Sequence, residues 1–158
     1  MALYMKYGSI DGSVTTEGFA KWIELNSFQW GTSRGVGTAA RGALSRESTE
    51  PSISEAVITK LGDIASTKLL MESLNGLLNN KVVVKFTTTN KGNPVTFQTF
   101  EFTDTGVSSY SLSSGGDLHS ESLTLNFTEV MYTFSGMDPG ISGSPDSVGW
   151  NLPLMKAK

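Results

Sequence analysis

The chain has 158 residues and a mass of 16.9 kDa, a size that predicts one domain. It carries 12 Lys and Arg against 15 Asp and Glu, and a net charge of −3 argues against a nucleic-acid-binding protein, whose usual signature is a basic surface. With no cysteine and a single histidine, the sequence excludes disulfides, thiolate catalysis, cysteine-ligated metals and a multi-histidine metal site within one chain. We therefore expect a structural or binding protein without a metal or a cofactor.

The hydropathy pattern predicts neither a membrane span nor a secretory leader. No segment approaches the roughly 18 consecutive apolar residues that cross a bilayer. The first residues lack a basic segment followed by an apolar core, so no cleavable signal peptide is predicted. We expect a protein that is made in the cytoplasm and that does not insert into a membrane.

Apolar residues recur with a period of two through most of the chain, which predicts strands. The first strand is predicted over 2–7, where an apolar and aromatic run ends at a glycine. Further along, Ile23 and Leu25 share one face, whereas Phe28 and Trp30 follow the opposite parity. Since one extra residue flips every later side chain, this change of phase predicts a β-bulge.

The pattern stops over 31–50, where small and polar residues predict an extended loop. Every arginine of the protein lies in this loop, at Arg34, Arg41 and Arg46. The stretch 35–40 imitates a dinucleotide-binding glycine motif, but no apolar helical stripe follows it, which favours a plain loop. The loop is either a solvated, mobile segment or a docking arm whose guanidinium groups bind carboxylates of another surface.

One helix is predicted over 63–76, with Asp63 or Ser66 as its N-cap. Gly76 fits the left-handed position after the last turn, and Leu77 is expected to pack back onto the helix. The helical spacing predicts one buried stripe, formed by Thr67, Leu70, Met71 and Leu74.

The second half of the sequence is predicted to be β-structure. Between 95 and 103 the apolar parity changes, which predicts a second bulge. Together with the first half, the pattern predicts about eight strands, over 2–7, 21–30, 53–58, 81–89, 95–103, 107–114, 118–134 and 148–152. The fold class is therefore mainly β, a small antiparallel β-barrel or sandwich with one flanking helix.

Two alternative functions depend on single side chains. His119, with Asp117 and Glu121 nearby in sequence, could serve a small serine hydrolase, but no nucleophile-elbow motif accompanies it, so a surface histidine is favoured. A carbohydrate-binding β-sandwich would use aromatic platforms, for which the candidates are Trp22, Trp30 and Trp150.

The order of several motifs resembles the haemolysin-coregulated protein family, the inner-tube subunits of bacterial type VI secretion systems. In the first half, Phe28-Gln-Trp30-Gly31-x-Ser33 precedes a glycine-rich loop. The second half contributes Val107-Ser-Ser-Tyr-Ser111, Gly115-Gly116, Glu121-Ser-Leu-Thr-Leu-Asn-Phe127, Val130, Tyr132 and Gly149-Trp-Asn-Leu152. The resemblance covers nearly the whole chain, and the arginine-bearing loop and the serine-rich stretch 108–114 are where it departs from the family.

This resemblance implies a single tube-subunit domain over 1–158 that forms homo-hexameric rings, which stack into a hollow tube. It implies effector proteins in the lumen, a contractile sheath and a spike as further partners, and export of the subunit itself without a cleavable signal. No enzymatic activity is expected, and because the chain ends soon after the last predicted strand, no toxin extension is expected either. A phage or tailocin tail-tube protein remains the nearest alternative, with the carbohydrate-binding module behind it.

Two groups of site residues are expected within such a tube. The long loop would reach the next ring, so Arg34, Arg41 and Arg46 are predicted to stack rings against acidic residues of a neighbour. A lumen through which cargo slides should be polar and not adhesive, and the residues predicted to face it are Ser109, Ser111, Ser113, Ser114, Gly115 and Gly116.

Overall fold

The computed structural model describes residues 1–37, 48–136 and 145–157. One helix, α1 (Ser66–Asn75), accompanies antiparallel strands. In chain order the strands are β1 (Ala2–Tyr7), β2 (Ile23–Leu25), β3 (Ser27–Gln29), β4 (Thr32–Ser33), β5 (Ser52–Ile53), β6 (Ala56–Leu61), β7 (Asn80–Asn90), β8 (Asn93–Ser113), β9 (Ser120–Asn126), β10 (Glu129–Phe134), β11 (Asp146–Asn151) and β12 (Lys156–Ala157). Within the described ranges no helix is long and apolar enough to cross a membrane.

Two sheets share the 21-residue strand β8. Sheet A has the order β12-β11-β10-β8-β7-β1-β2 and uses the first part of β8, up to Thr105. Sheet B has the order β3-β6-β9-β8 and uses residues 106–113 of the same strand. The predicted class, mainly β with one helix, is confirmed. The strands outnumber the prediction because β3, β4, β5 and β12 are pieces of only two or three residues.

The first predicted bulge is wrong, because the change of parity marks a change of sheet. β2 pairs with β1 in sheet A, and β3 pairs with β6 in sheet B. Between them Asn26 leaves the ladder of sheet A and donates its backbone N–H to the carbonyl of Thr59, at 2.7 Å. The chain thus turns the corner between the sheets, and Phe28 enters the core from sheet B.

The second predicted bulge is confirmed. In the β7–β8 ladder Phe86 pairs with Gln98, but Thr87 pairs with Thr96, so Phe97 is the extra residue. Residues 118–134 form two strands instead of one, since the chain bends between β9 and β10 and both strands pair with β8.

Aromatic rings fill the space between the sheets. The ring centroid of Phe28 lies 4.9 Å from that of Phe100 and 5.7 Å from that of Phe86, which it meets edge-on. The ring of Tyr132 stacks on Phe100 with a centroid distance of 4.7 Å. Aliphatic residues from β1, β2, β6, β7 and β9 complete the core. Because the rings come from both sheets, this cluster ties sheet A to sheet B.

The helix buries a different face from the predicted one. Ala65 is the N-cap residue and makes no side-chain cap, although Asp63 accepts a hydrogen bond from the Ala65 N–H at 3.0 Å. Gly76 is extended, with φ −63°, so the predicted left-handed end is wrong. Leu69 is the buried residue of the helix, and the predicted buried stripe lies exposed to solvent: Thr67, Leu70, Met71 and Leu74.

Candidate functional site

One face of sheet B is covered by hydroxyl groups and has no charged side chain. The register of the sheet aligns cross-strand neighbours from β3, β6, β9 and β8 in rows. One row consists of Ser27, Thr59, Ser122 and Ser111; a second consists of Gln29, Val57, Thr124 and Ser109; a third consists of Leu61, Ser120 and Ser113. We call these three rows the hydroxyl face. It points away from the core, because the alternate residues of the same strands, such as Ile58 and Leu123, are buried.

A bulge at Ser108 decides which side chains of β8 join this face. Val107 pairs with Leu125 and Ser109 with Thr124, so Ser108 has no partner of its own in the ladder. The extra residue reverses the parity of the strand beyond it. As a result Val107 and Tyr110 both face the core side, and the serines at 109, 111 and 113 face outward.

Hydrogen bonds between neighbours order part of the hydroxyl face. Ser27 Oγ and Thr59 Oγ1 lie 2.5 Å apart, and Ser109 Oγ donates to Thr124 Oγ1 at 2.8 Å. At the bulge, Ser108 Oγ donates to the Glu55 carboxylate and contacts the Thr124 carbonyl at 3.2 Å. The three rows therefore offer mainly hydroxyl and amide groups and contain no charged side chain, with the Glu55 carboxylate beside the bulge and Leu61 exposed in the third row.

The remaining predicted lumen residues lie at the rim of this face. Ser114, Gly115 and Gly116 form the exposed turn between β8 and β9. Ser114 Oγ donates to the carbonyl of Asp117 at 2.9 Å and accepts the N–H of Gly116 at 3.2 Å. Gly116 has φ +111°, a conformation that favours glycine.

Sheet B ends in unpaired backbone on both sides within the described ranges. β3 pairs with β6 alone. β7 leaves β8 at Thr105, so residues 106–113 pair only with β9. Free N–H and C=O groups at a strand edge invite pairing with another chain.

The structure describes one of the three predicted stacking arginines. Arg34 is exposed and follows β4, which pairs with β5 at the base of the long loop. The base is extended by the bridge between Val36 and Ser48. Arg41 and Arg46 lie outside the described residues.

The core side of sheet B holds a buried ionic cluster that the sequence interpretation missed. Lys60 Nζ lies 2.5 Å from Glu121 Oε2 and 2.9 Å from Asp63 Oδ1, and both Lys60 and Glu121 are 0% exposed. Ser66 Oγ donates to Glu121 Oε2 at 2.9 Å, and the Tyr110 hydroxyl donates to Oε1. Because Ser66 opens α1, the cluster fixes the start of the helix to β6 and β9 and turns Leu69 toward the core.

A parity signal for this cluster was present in the sequence. Lys60 has the same parity as Ala56 and Ile58, and Glu121 has the same parity as Leu123. Lys and Glu are almost never fully buried unless they are paired, so their residue types alone predicted that both side chains would be exposed to solvent.

The cluster shifts the pKa of two of its members. Burial by itself raises the pKa of the Glu121 carboxyl, but hydrogen bonds from Lys60, Tyr110 and Ser66, with the Lys60 charge, lower it below the ordinary value overall. The pKa of the Tyr110 phenol is raised, first by burial and then by its hydrogen bond to the Glu121 carboxylate and that charge. The carboxylate is therefore held ionised and the phenol protonated.

His119 and the tryptophans do not assemble as the two alternatives require. His119 Nε2 is buried and lies 3.5 Å from Glu121 Oε1, and the ring packs against Gly62. Trp22 contacts Phe19 edge-on at 5.2 Å, apart from Trp30 and Trp150, which share one groove. Within the residues that the structure describes, no group of three His, Asp or Glu side chains could hold a metal ion.

Comparisons with known proteins agree on one family. The family model described as type VI secretion system effector, Hcp, matches residues 4–134. The chain is similar to a solved type six secretion system protein, at 28% identity over 99% of each chain and with a TM-score of 0.86.

Two further solved structures share the fold at lower identity. Hcp1 from Salmonella typhimurium is 19% identical, with 99% of this chain and 98% of that chain covered and a TM-score of 0.77. A type VI secretion system effector from Yersinia pestis is 15% identical, with coverage of 94% and 98% and a TM-score of 0.74. No curated protein sequence matches the chain.

Proposed function

The chain belongs to the Hcp family and is a tube protein of a type VI secretion system, and from this premise we propose that it forms hexameric rings that stack into an effector-carrying tube. In this proposal the subunit is exported with its cargo, and the contractile sheath and spike of the system are its other partners. No catalytic role is part of the proposal.

The hydroxyl face carries the proposal as the wall of the lumen. The wall of a channel that passes many proteins must stay hydrated and must not bind its cargo, so it should lack both large apolar patches and fixed charge. The rows through Ser27, Thr59, Ser122 and Ser111 meet both conditions. The rim turn with Ser114, Gly115 and Gly116 would be the first surface that cargo meets at one end of the ring.

The free edges of sheet B support the closure of the ring. β3 of one copy and residues 106–113 of the next copy can pair antiparallel, because β3 and β8 run in opposite directions in the order β3-β6-β9-β8. Such a contact joins two different edges, so it is heterologous, and repetition around an axis closes it into a ring. Six copies would continue one hydroxyl-lined wall around the lumen.

The loop arginines remain candidates for contacts between rings. Arg34 is exposed beside the β4–β5 ribbon, where it is available to a carboxylate of another subunit. Each exposed pair would contribute only about 0.2–1 kcal/mol, but a ring repeats the contact six times. Replacement of Arg34, Arg41 and Arg46 by Glu should weaken the stacking of rings into tubes and spare the rings themselves, as seen by negative-stain imaging. Normal tubes from the triple variant would refute this role.

The decisive experiment is mass by light scattering combined with negative-stain imaging of the purified chain. We expect particles of six subunits with a central hole. A monomer at every concentration tested would overturn the ring proposal.

The lumen assignment needs a separate test. Ser111→Trp places a bulky ring on the hydroxyl face, and Ser147→Trp makes the same change on an exposed position of β11 in sheet A. With rings intact, the first variant should reduce the amount of a co-expressed effector that copurifies with the ring, and the second should not. Equal retention by both variants would place cargo elsewhere.

A further inference from the structure

The helix α1 presents an apolar ridge to solvent. Leu74 is 72% exposed and Met71 is 55% exposed, and the chain beyond the helix adds Leu77 at 72%. We call the exposed side chains of Leu70, Met71, Leu74, Leu77 and Leu78 the helix ridge. A contiguous apolar surface of this kind marks an interaction site.

A second apolar surface is concave and lies on another part of the molecule. A groove of about 470 Å³ opens between the β4–β5 ribbon and the strands β10 and β11. Its walls are Trp30, Ile53, Pro51, Val130, Tyr132, Val148 and Trp150, with Arg34 at its border. The indole Nε1 atoms of Trp30 and Trp150 are buried and have no hydrogen-bond partner among the described residues. We call this surface the aromatic groove.

Both surfaces lie on the core side of sheet B, at opposite edges of it. α1 packs on β8, where Leu78 covers Gly106 close to the free edge. Trp30 follows β3, the other free edge, and its ring contacts Phe100 at 5.6 Å.

The two surfaces also lie at the same level along the strands. Because Gln29 pairs with Val57, the next residue, Trp30, lies beside Ala56. Ala56 pairs with Leu125, and Leu125 pairs with Val107. This row of the sheet therefore runs from Trp30 at one edge to Val107, the neighbour of Gly106, at the other. Pairing the two free edges of neighbouring copies therefore brings the end of the helix ridge of one copy to the aromatic groove of the next.

We propose that the helix ridge of one subunit occupies the aromatic groove of its neighbour within the ring. This inference rests on the proposed ring, and it adds a second contact on the core side of the sheet, behind the paired edges. Electrostatics favour the same match, since α1 has no basic residue in its last turn and Arg34 borders the groove. A cation near the C-terminal carbonyls of a helix is favourable, so the neighbour's Arg34 guanidinium would supply the positive charge that the last turn of α1 lacks.

Because the chain contains no cysteine, introduced thiols can test this contact without background. The test pair is Leu74→Cys and Val148→Cys, two exposed positions on the helix ridge and in the aromatic groove. A short bis-maleimide is added to the double variant, and the products are separated on a denaturing gel. We expect a ladder that ends at six subunits. Leu77→Cys with Val148→Cys repeats the test should the first spacing not suit the reagent.

The controls separate a heterologous contact from other geometries. Each single variant should stay monomeric on the gel, and an equal mixture of the two single variants should stop at dimers. The pair Leu74→Cys with Ser111→Cys, whose second thiol lies on the opposite face of sheet B, should give no ladder.

Three outcomes would overturn the inference. One is rings of six by light scattering with no ladder from either test pair, which would leave the ring proposal standing. Another is efficient linking of Leu74→Cys alone, which would indicate a symmetric ridge-to-ridge contact. The third is a ladder beyond six subunits, which would place the contact between rings. A monomer by light scattering would instead remove the ring itself, so the two failures are distinguishable.

Discussion

The two faces of sheet B use the same strands for opposite purposes. One face carries the hydroxyl rows, which are uncharged and open to solvent. The other carries aliphatic side chains and, at its end, the fully buried pair of Lys60 and Glu121. The comparison teaches that the hydroxyl face can vary at low cost to folding, whereas the core side fixes the helix and the register. The proposed lumen wall and the stabilising core side are therefore separated by the thickness of one sheet.

Insertion of one alanine between Ser109 and Tyr110 should have the largest effect on this separation. The extra residue reverses the parity of β8 beyond it, which would turn Tyr110 to solvent and Ser111 and Ser113 toward the core. We expect a loss of more than about 4 kcal/mol in the free energy of unfolding, or no folded protein, measured by urea denaturation. Ser108→Ala keeps the bulge and should stay within about 1 kcal/mol of the parent. An insertion variant with parental stability would show that the parity of β8 does not set the faces.

Breaking the buried ion pair should rank next. Lys60→Met leaves the Glu121 carboxylate buried without its main partner, and such a loss costs about 3–5 kcal/mol. The double variant Lys60→Met with Glu121→Leu removes both charges and should recover most of that loss in urea denaturation. A double variant less stable than Lys60→Met would contradict this account of the cluster.

Acid should weaken the core side through the same carboxylate. The pKa of Glu121 is lowered in the folded protein from its ordinary value of 4.5, so the unfolded chain binds more protons in that range. Stability contributed by Glu121 is therefore fully present above about pH 4.5 and is lost as the pH falls through the folded-state pKa, by at most about 1.4 kcal/mol per pH unit.

Tyr110→Phe removes one donor to this carboxylate and should flatten the acid dependence of the unfolding midpoint. An unchanged dependence in that variant would mean that the Tyr110 hydroxyl does not set the pKa of Glu121.

The smallest effect is expected on the hydroxyl face. Ser109→Ala removes an exposed hydrogen bond to Thr124 and should change the free energy of unfolding by no more than about 0.5 kcal/mol. Thermal denaturation can measure the difference, with the parent chain as reference. A loss above about 2 kcal/mol would indicate that this face is part of the folding core and not a replaceable wall.

Period-two patterning predicted the strands because burial on one side of a sheet leaves a direct trace in sequence. The parity change near Phe97 correctly indicated a bulge, whereas the one between Leu25 and Phe28 marked a corner between sheets, and a parity count cannot distinguish these two causes. The bulge at Ser108 was missed, although Val107 and Tyr110 differ in parity and both face the core side.

The helix itself was predicted correctly, but its predicted buried face was wrong. Its strongest apolar stripe, through Leu70 and Leu74, predicted the core-facing side, but the anchoring of Ser66 to Glu121 turns Leu69 inward instead. The spacing of apolar residues shows which face of a helix avoids water, and it does not show whether that face meets its own core or a second molecule.

The continuity of β8 has a mechanical consequence. Its 21 residues run without interruption from the outer ladder of sheet A into the edge of sheet B. A thrust applied along the hydroxyl face therefore reaches sheet A through covalent backbone and shared ladder bonds, with no hinge loop in series. A subunit built in this way carries load as one stiff body, so strain in a driven tube should collect at the joints between subunits.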